Sequence, residues 1–214
     1  MAVVPQDVRV YPQFALGLGQ KVANLGSDSL GVLLMSTYTL STAHKFVSDV
    51  LGAGTEANGT GYSSGGVTLT GVAWQVFDAN SWPVVYATAT AYNVSDVVRP
   101  SSGNGFVYRC AVAGTSAGSA PTWPTTVGLS VTDGSVTWTC AGRACGRLTA
   151  SSPTWPSSTI SGVNYAVFFD KTPGSNATNP VMVLWDFSNS PQSSSAGTFT
   201  LAIPASGIIP VLIP

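Results

Sequence analysis

Apolar and β-branched residues occur along this chain in short runs that are separated by clusters of Gly, Pro, Asn and Ser. Runs of about four to eight residues with such boundaries are typical of β-strands, especially where apolar and polar positions alternate. The pattern predicts strands at residues 29–35, 67–78, 106–112, 135–140, 160–170, 181–187, 197–203 and 207–213. Short strands at this spacing predict an all-β fold of the sandwich or jelly-roll kind.

One segment has a helical pattern instead. Residues 42–51 carry an apolar stripe with helical spacing, which predicts one short helix. Ser41 or Thr42 would cap its start, and Gly52 would end it.

The N-terminal residues carry weaker signals. Residues 1–15 contain two prolines and no sustained periodicity, so we expect an extended arm or a first edge strand there. Such an arm can reach a neighbouring subunit. Residues 16–24 have too few apolar positions to decide between a short helix and a strand.

Residues 106–112 and 135–140 are the strands of a predicted small β module, and each contains a cysteine, Cys110 and Cys140. Pairing of adjacent strands would bring the two cysteines together. Two alternatives stay open. A disulfide would contribute about 3 to 4 kcal/mol in the chain-entropy model, whereas free thiols would pack as small hydrophobic groups.

The stretch 92–142 resembles a small β module that recurs in bacteriophage virion proteins and near carbohydrate-binding regions. The positions that carry the match are Tyr92, Val94, residues 96–98, Pro100, Tyr108, residues 113–116, Pro121, Trp123, Pro124 and residues 133–138. Ala117 departs from the pattern, because many relatives have a second glycine there. The module is found on tail fibres, tail spikes and capsid-surface proteins, so the resemblance implies a virion protein without choosing its place in the particle.

The flanking segments resemble a family of small phage structural proteins encoded among the head and virion genes. The resemblance rests on G-T-G-Y-S-S-G-G-V-T-L-T-G at 59–71, W-P-S-S-T-I-S-G-V-N-Y-A-V-F-F-D at 155–170, N-P-V-M-V-L-W-D-F at 179–187 and G-T-F-T-L-A-I-P-A-S-G-I-I at 197–209. In that family the run before the W-P segment is short.

The chain here is longer at that point, which implies a domain insertion. We predict an N-terminal arm at 1–15, a discontinuous β-sandwich domain at 16–84 and 148–214, and an inserted β module at 85–147. Insertions of this kind are tolerated at exposed loop tips.

Charged residues are scarce. Eight Lys plus Arg and nine Asp plus Glu make up 8% of the chain, well under the roughly one quarter that is usual. A net charge of −1 gives no basic cluster for nucleic acid, and no apolar stretch approaches the roughly twenty residues that span a bilayer. We therefore expect neither nucleic acid nor a membrane as a partner.

The N-terminal residues lack the basic region, apolar run and cleavage site of a signal peptide. Three cysteines do not make the disulfide framework of a secreted scaffold. We expect synthesis in the host cytoplasm and a final location in the virion, on the capsid surface rather than the tail.

Candidate catalytic groups are sparse. His44, the only histidine, lies on the predicted helix without a nucleophile motif beside it, which favours a structural role. Cys140 and Cys145 lack the further ligands of a zinc site. Asp96 and Asp133 are a weak signal for a glycosidase pair, and Asp133 precedes a glycine as in a hairpin turn. We expect no enzymatic activity, no metal and no cofactor.

Aromatic residues are concentrated in and around the module, where rings form either a small core or surfaces on which sugars stack. We expect Tyr108 and Trp138 in the core. Trp123, which lies in a proline-flanked loop, is the predicted exposed ring and the first candidate for a glycan or partner contact. Tyr92 and Trp82 are the next candidates.

Together the composition and the two resemblances imply a non-enzymatic phage virion protein. We expect a capsid decoration (cement) or head-fibre protein, homotrimeric, that binds the major capsid protein or other virion subunits and projects the module outward. The alternative is a tail or baseplate receptor-binding protein whose module recognises host surface polysaccharide. A free glycan-degrading enzyme is a third class, and it would depend on Asp96 and Asp133.

Overall fold

The computed structural model describes residues 2–3, 7–19, 24–76, 83–204 and 206–213. Within these ranges the chain forms two short helices, α1 (Pro12–Gly19) and α2 (Val47–Gly52). The strands are β1 (Ala2–Val3), β2 (Asp7–Val10), β3 (Leu30–Tyr38), β4 (Gly54–Glu56), β5 (Gly59–Thr60), β6 (Val67–Thr68), β7 (Ala73–Val76), β8 (Val84–Val85), β9 (Ala91–Tyr92), β10 (Val97–Arg99), β11 (Val107–Val112), β12 (Gly114–Thr115), β13 (Ser130–Asp133), β14 (Val136–Thr149), β15 (Thr154–Ile160), β16 (Tyr165–Asp170), β17 (Val181–Asp186), β18 (Gly197–Leu201) and β19 (Ile209–Ile213). The predicted all-β class is confirmed. No helix in the described ranges is long and apolar enough to cross a membrane.

Contacts between Cα atoms divide the chain into two compact units. The first unit comprises Met1–Ala73 and Ala150–Ala202, and the second comprises Trp74–Thr149 and Ile203–Pro214. Strand β19 belongs to the second unit because it pairs with β14. The predicted domain boundaries stay a prediction, since contacts alone do not show which parts fold independently.

The first unit is built around a six-stranded sheet in the order β2-β17-β16-β3-β4, with β6 beside β3. Its central strands β3, β16 and β17 are nearly continuous apolar runs because both faces of the sheet are buried. On one face, Val47 and Val50 of α2 join Leu33, Val167 and Leu184 in a single buried cluster. In β16, which lies within the run predicted as a strand at 160–170, every residue after Tyr165 is buried.

A four-stranded sheet in the order β1-β18-β15-β5 completes the first unit. Trp155 and Phe199 are both 3% exposed, and their ring centroids lie 5.7 Å apart. Tyr62 connects this sheet to the larger one. Its ring lies 6.1 Å from that of Trp155, and its hydroxyl accepts a hydrogen bond from the backbone N–H of Leu34 at 3.1 Å. Two sheets joined through a shared core form a β-sandwich-like arrangement.

The second unit contains a seven-stranded sheet in the order β13-β14-β11-β10-β8, with β19 and β7 also paired to β14. Strand β14 is 14 residues long because its first half pairs with β13 and β11, and its second half with β19. Gly134 and Ser135 form the two-residue turn between β13 and β14, and Gly134 has φ +62°. The hairpin turn predicted after Asp133 is therefore confirmed.

Two predicted strands are each divided in the structure. The run at 67–78 is two strands, β6 and β7, in different sheets, because Gly71 between them adopts φ +60°; position 78 lies outside the described residues. The run at 160–170 divides at Gly162, with φ +63°, between the end of β15 and the start of β16.

The helix predicted at 42–51 begins later, at Val47. The carboxylate of Asp49 accepts hydrogen bonds from the backbone N–H groups of Lys45 at 2.8 Å and Phe46 at 3.0 Å. These N–H groups precede the first helical residue, so the Asp49 side chain closes the start of the helix from inside it, and the N-cap is Phe46, not Ser41 or Thr42.

Helix α1 begins within the residues 1–15 that were expected to be extended, and it extends into the segment 16–24, where the choice between helix and strand was left open. Pro12 at its start suits a first helical position because proline lacks an N–H and has a fixed φ. Buried Tyr11 and Phe14 anchor the helix to the first unit. The edge strand expected near the N-terminus is confirmed as β2, which is the last strand of its sheet.

Candidate functional site

The core of the second unit is an aromatic cluster, which we define as Tyr86, Tyr92, Tyr108, Trp123 and Trp138. Trp138 is fully buried at its centre, with ring centroids 4.8 Å from Tyr92, 6.2 Å from Tyr86 and 5.9 Å from Trp123. Strand alternation places Tyr108 and Trp138 on the same side of the sheet. The prediction that both belong to the core is confirmed, because each is 0% exposed.

Trp123 is half-buried and covers this cluster. Its ring centroid lies 4.3 Å from that of Tyr108 and 5.1 Å from that of Tyr86. The Tyr108 hydroxyl donates to the carbonyl of Pro124 at 2.9 Å, which fixes the loop that carries Trp123. The expectation of a freely exposed ring is wrong, because the small core needs this ring to cover it.

Tyr92 is buried, with 9% exposure. Its hydroxyl accepts a hydrogen bond from the backbone N–H of Ala87 at 2.8 Å and donates to the Ala87 carbonyl at 3.2 Å. Burial raises the pKa of Tyr92, while the hydrogen bond from Ala87 opposes the rise. The structure thus contradicts a surface role for Tyr92. The third candidate, Trp82, lies outside the described residues.

The two cysteines of the module are free and buried. Strands β11 and β14 are adjacent as predicted, but Cys110 lies opposite Trp138 and Cys140 lies opposite Tyr108. The cysteines are therefore diagonal neighbours, and in this structure both are free thiols, as in the second alternative. Burial, together with the charge of Asp96, raises the pKa of Cys110 to about 11. A thiol in this environment is a weak nucleophile.

Asp133 is 3% exposed and has a structural role. One carboxylate oxygen accepts a hydrogen bond from the backbone N–H of Ala117 at 2.9 Å, and the other accepts from the indole N–H of Trp138 at 3.0 Å. The carboxylate thus joins the turn, the aromatic cluster and the segment of Ala117. Each carboxylate oxygen therefore accepts a hydrogen bond that stabilises the fold.

Asp96 closes a turn at the start of β10. Its carboxylate accepts a hydrogen bond from the backbone N–H of Asn93 at 2.8 Å, and burial raises its pKa. A retaining or inverting glycosidase needs two carboxyl groups that face a substrate. Both carboxylate oxygens of Asp133 are hydrogen-bonded within the core, so Asp133 is not a free partner carboxylate for Asp96.

His44 lies in the turn before α2, in the first unit. The Tyr11 hydroxyl donates to the Tyr38 hydroxyl at 2.8 Å, and the Tyr38 hydroxyl is hydrogen-bonded to Nδ1 of His44 at 2.6 Å. Burial raises the pKa of both tyrosines. This row of hydrogen bonds gives His44 a structural role. Among the described residues, no group of three or more His, Cys, Asp and Glu side chains could hold a metal ion.

The opposite face of the sheet in the second unit carries a groove that sequence reasoning missed. We call it the outer-face groove; it has a volume of about 330 Å³ and is lined by Arg109, Ala111, Thr139 and Ala141. Arg109 lies opposite Thr139, and Thr139 lies opposite Ser130, whose hydroxyl is hydrogen-bonded to that of Thr139 at 2.8 Å. The alternation of β11 and β14 gives the signal, because every second residue points away from the aromatic cluster.

Three apolar side chains of β2 and α1 are exposed in the first unit. Val10, Leu16 and Leu18 are 44%, 50% and 38% exposed. A groove of about 180 Å³ lies at the junction of the two elements, lined by Arg9, Val10, Tyr11, Pro12, Leu40 and Thr42. Exposed apolar side chains beside an edge strand are typical of surfaces that another chain covers.

Comparisons with protein-family models, with curated proteins and with solved structures each found no match for this chain.

Proposed function

We propose that this chain is a non-enzymatic structural protein of a phage particle, a capsid decoration or head-fibre protein that binds the assembled shell. The observation that carries the proposal is the exposure of three apolar side chains on β2 and α1, Val10, Leu16 and Leu18. None of the three belongs to the buried cluster that α2 forms with the large sheet. A partner that covered them would gain about 25 cal/mol for each Å² of apolar area.

The engagement of the reactive side chains supports a binding role over a catalytic one. Asp133 binds Ala117 and Trp138, and His44 is hydrogen-bonded to Tyr38. The Cys110 thiol is buried among apolar neighbours. Each of these groups holds the fold together.

A decoration protein acts by mass action, because any molecule that binds only the assembled shell raises the stability of that shell. The proposed partners are the major capsid protein or other virion subunits, and further copies of this chain in a homotrimer. The trimer follows from the resemblance and from the scarcity of charge, which suits large interfaces. The proposed location is the capsid surface, and the function requires no cofactor, nucleic acid or membrane.

Binding of the purified full chain to shells that lack it tests the proposal. We expect saturable co-sedimentation and a higher melting temperature of the decorated shells. The double variant Leu16→Asp and Leu18→Asp should abolish both effects while its circular dichroism stays unchanged. Leu129→Asp is the matched control, because Leu129 is a 55% exposed leucine of the second unit. Failure of the wild-type chain to bind, or unchanged binding of the double variant, would contradict the proposal.

The alternative is a tail or baseplate receptor-binding protein that recognises host surface polysaccharide. The observation in its favour is the outer-face groove, where a cationic side chain and hydroxyl groups lie together. A receptor-binding protein would occur in few copies per particle, whereas a decoration protein would occur in many.

A further inference from the structure

The guanidinium of Arg109 has no hydrogen-bond acceptor among the described residues. Its neighbours across the sheet are Val97 on one side and Thr139 on the other, and neither is an acid. Desolvation in the groove lowers the pKa of Arg109, although the group stays charged. A planar guanidinium offers a fork of N–H donors that matches a carboxylate in a bidentate manner. The groove therefore presents an unused site for a carboxylate.

Four hydroxyl side chains extend this site across the same face. Thr139 lies opposite Ser130, and Thr137 lies opposite Thr132, so the four form two neighbouring pairs. Hydroxyl groups both donate and accept hydrogen bonds. They match the hydroxyl groups of a sugar. The small side chains of Ala111 and Ala141 leave room above the sheet for a ring.

Acids of the second unit that the structure describes lie on the other side of the sheet. Asp133 binds the indole of Trp138 within the core. Asp96 is close enough to the core for its charge, besides burial, to raise the pKa of Cys110. By contrast, Arg99 is two residues from Val97 on β10 and so shares the face of Arg109. The Arg99 Nε–H donates to the carbonyl of Pro83 at 3.1 Å, so Arg109 is the cation that the described lining of the groove offers to an anionic ligand.

We propose that the outer-face groove binds an acidic oligosaccharide, with Arg109 holding a sugar carboxylate and Thr139 and Ser130 bonding to neighbouring sugar hydroxyls. An acidic peptide fits less well, because extended peptides bind by adding to the edge of a sheet. Strands β11 and β14, which form the floor of the groove, are paired on both sides. This inference deepens the alternative function, in which the same groove recognises a polysaccharide, and binding of an acidic sugar can be tested separately from the place of the chain in a particle.

Calorimetric titration of the full chain tests the site. The probes are oligogalacturonate, oligosialic acid and a hyaluronan fragment, each compared with its methyl ester, and a short glutamate peptide of matched charge. We expect at least one acidic sugar to bind. The affinity of its ester and of the peptide should be at least about tenfold lower, since hydrogen bonds to a charged group are lost or misplaced. No binding by any acidic sugar, or equal binding by the ester or the peptide, would overturn the proposal.

Variants identify the residues that hold the ligand. Arg109→Gln should weaken binding about tenfold or more. The affinity of Arg109→Lys should lie between those of the wild type and Arg109→Gln, because lysine keeps the charge but loses the planar pair of N–H donors. Arg143→Gln is the control, since the Arg143 guanidinium lies over the ring of Phe106 at 5.0 Å. Ala111→Leu, at an exposed position, should also weaken binding by filling the groove. Unchanged affinity in Arg109→Gln or in Ala111→Leu would overturn the assignment.

Discussion

Asp133 joins three parts of the second unit through one side chain. It precedes the glycine of the hairpin turn, and its carboxylate binds the backbone of Ala117 and the indole of Trp138. The turn could be predicted from the Asp-Gly dipeptide. The burial of the carboxylate could not, because it depends on Ala117, which lies 16 residues earlier in the chain.

The substitution Asp133→Asn should destabilise the chain. An amide can accept only one of the two hydrogen bonds and places its own N–H₂ group against the other donor. We expect a loss of about 2 to 3 kcal/mol in the free energy of unfolding, measured by denaturant titration. Asp96→Asn is the control, because the amide oxygen can still accept from Asn93 and burial already disfavours the charged form. Equal losses in the two variants would contradict the structural role of Asp133.

The thiols of Cys110 and Cys140 should react slowly in the folded protein. Both are buried, and the raised pKa of Cys110, about 11, leaves little thiolate at neutral pH. We expect iodoacetamide to label neither site at pH 7.5 until denaturant is added, with labelling measured at each cysteine by mass spectrometry. Rapid labelling of the native chain, or recovery of a peptide in which the two cysteines are linked, would contradict this arrangement.

At the scale of elements, the loop of Trp123 is part of the fold of the second unit. The substitution Trp123→Ala should remove contacts with Tyr108 and Tyr86 and lower the free energy of unfolding by about 2 kcal/mol, less than a fully buried tryptophan because the ring is half-buried. Tryptophan fluorescence during denaturation provides the measurement. Val127→Ala, at a 43% exposed position downstream of Trp123, should change stability by less than about 0.5 kcal/mol. If Trp123→Ala left the free energy of unfolding unchanged, the result would favour a role of the Trp123 ring in binding a partner.

Substitutions at the two glycines before β6 distinguish the cost of backbone strain from the cost of a steric clash. Gly65 and Gly66 both have positive φ, +90° and +70°. Nothing lies near an added Cβ at Gly65, whereas at Gly66 it would meet the carbonyl oxygen of Val32 in β3. We expect Gly65→Ala to cost about 1 kcal/mol, from the left-handed conformation alone.

Gly66→Ala should cost at least about 2 kcal/mol more than Gly65→Ala, because backbone must move to relieve the clash. Thermal unfolding of the two variants gives the comparison. Similar melting temperatures would show that β3 does not approach Gly66 as closely as described.

The strands could be predicted well where long apolar runs made the period plain, as in β3, β16 and β17. Divisions within runs were missed at Gly71 and Gly162, because a glycine changes the direction of the chain without changing the hydrophobic pattern. Helix α2 starts late because the side chain of Asp49 caps it from inside the helix. A capping signal read from the preceding Ser and Thr residues cannot show this.

Among the aromatic residues of the module, Tyr108 and Trp138 lie in the core as the sequence predicts, whereas Trp123 and Tyr92, the predicted contact residues, are half-buried and buried. Proline-flanked loops are usually exposed, and only the contacts between distant residues show that this loop covers the core. The outer-face groove was missed for a similar reason. Arg109 and Thr139 are 30 positions apart along the chain, and only strand register makes them neighbours.

At the scale of the whole molecule, a chain with 8% charged residues must present other groups to its surroundings. In the first unit these include the apolar side chains of β2 and α1. In the second unit they include the hydroxyls and the arginine of the outer-face groove. We propose that the side chains of β2 and α1 bind the particle and that the outer-face groove binds an acidic sugar.

The copy number of this chain per particle tests the central proposal most directly. Quantitative mass spectrometry of purified virions would measure its ratio to the major capsid protein. A ratio near one for each capsid subunit, or a fixed large fraction of it, is the result expected for a decoration or head-fibre protein. A handful of copies per particle would contradict that function and place the chain in the neck or tail.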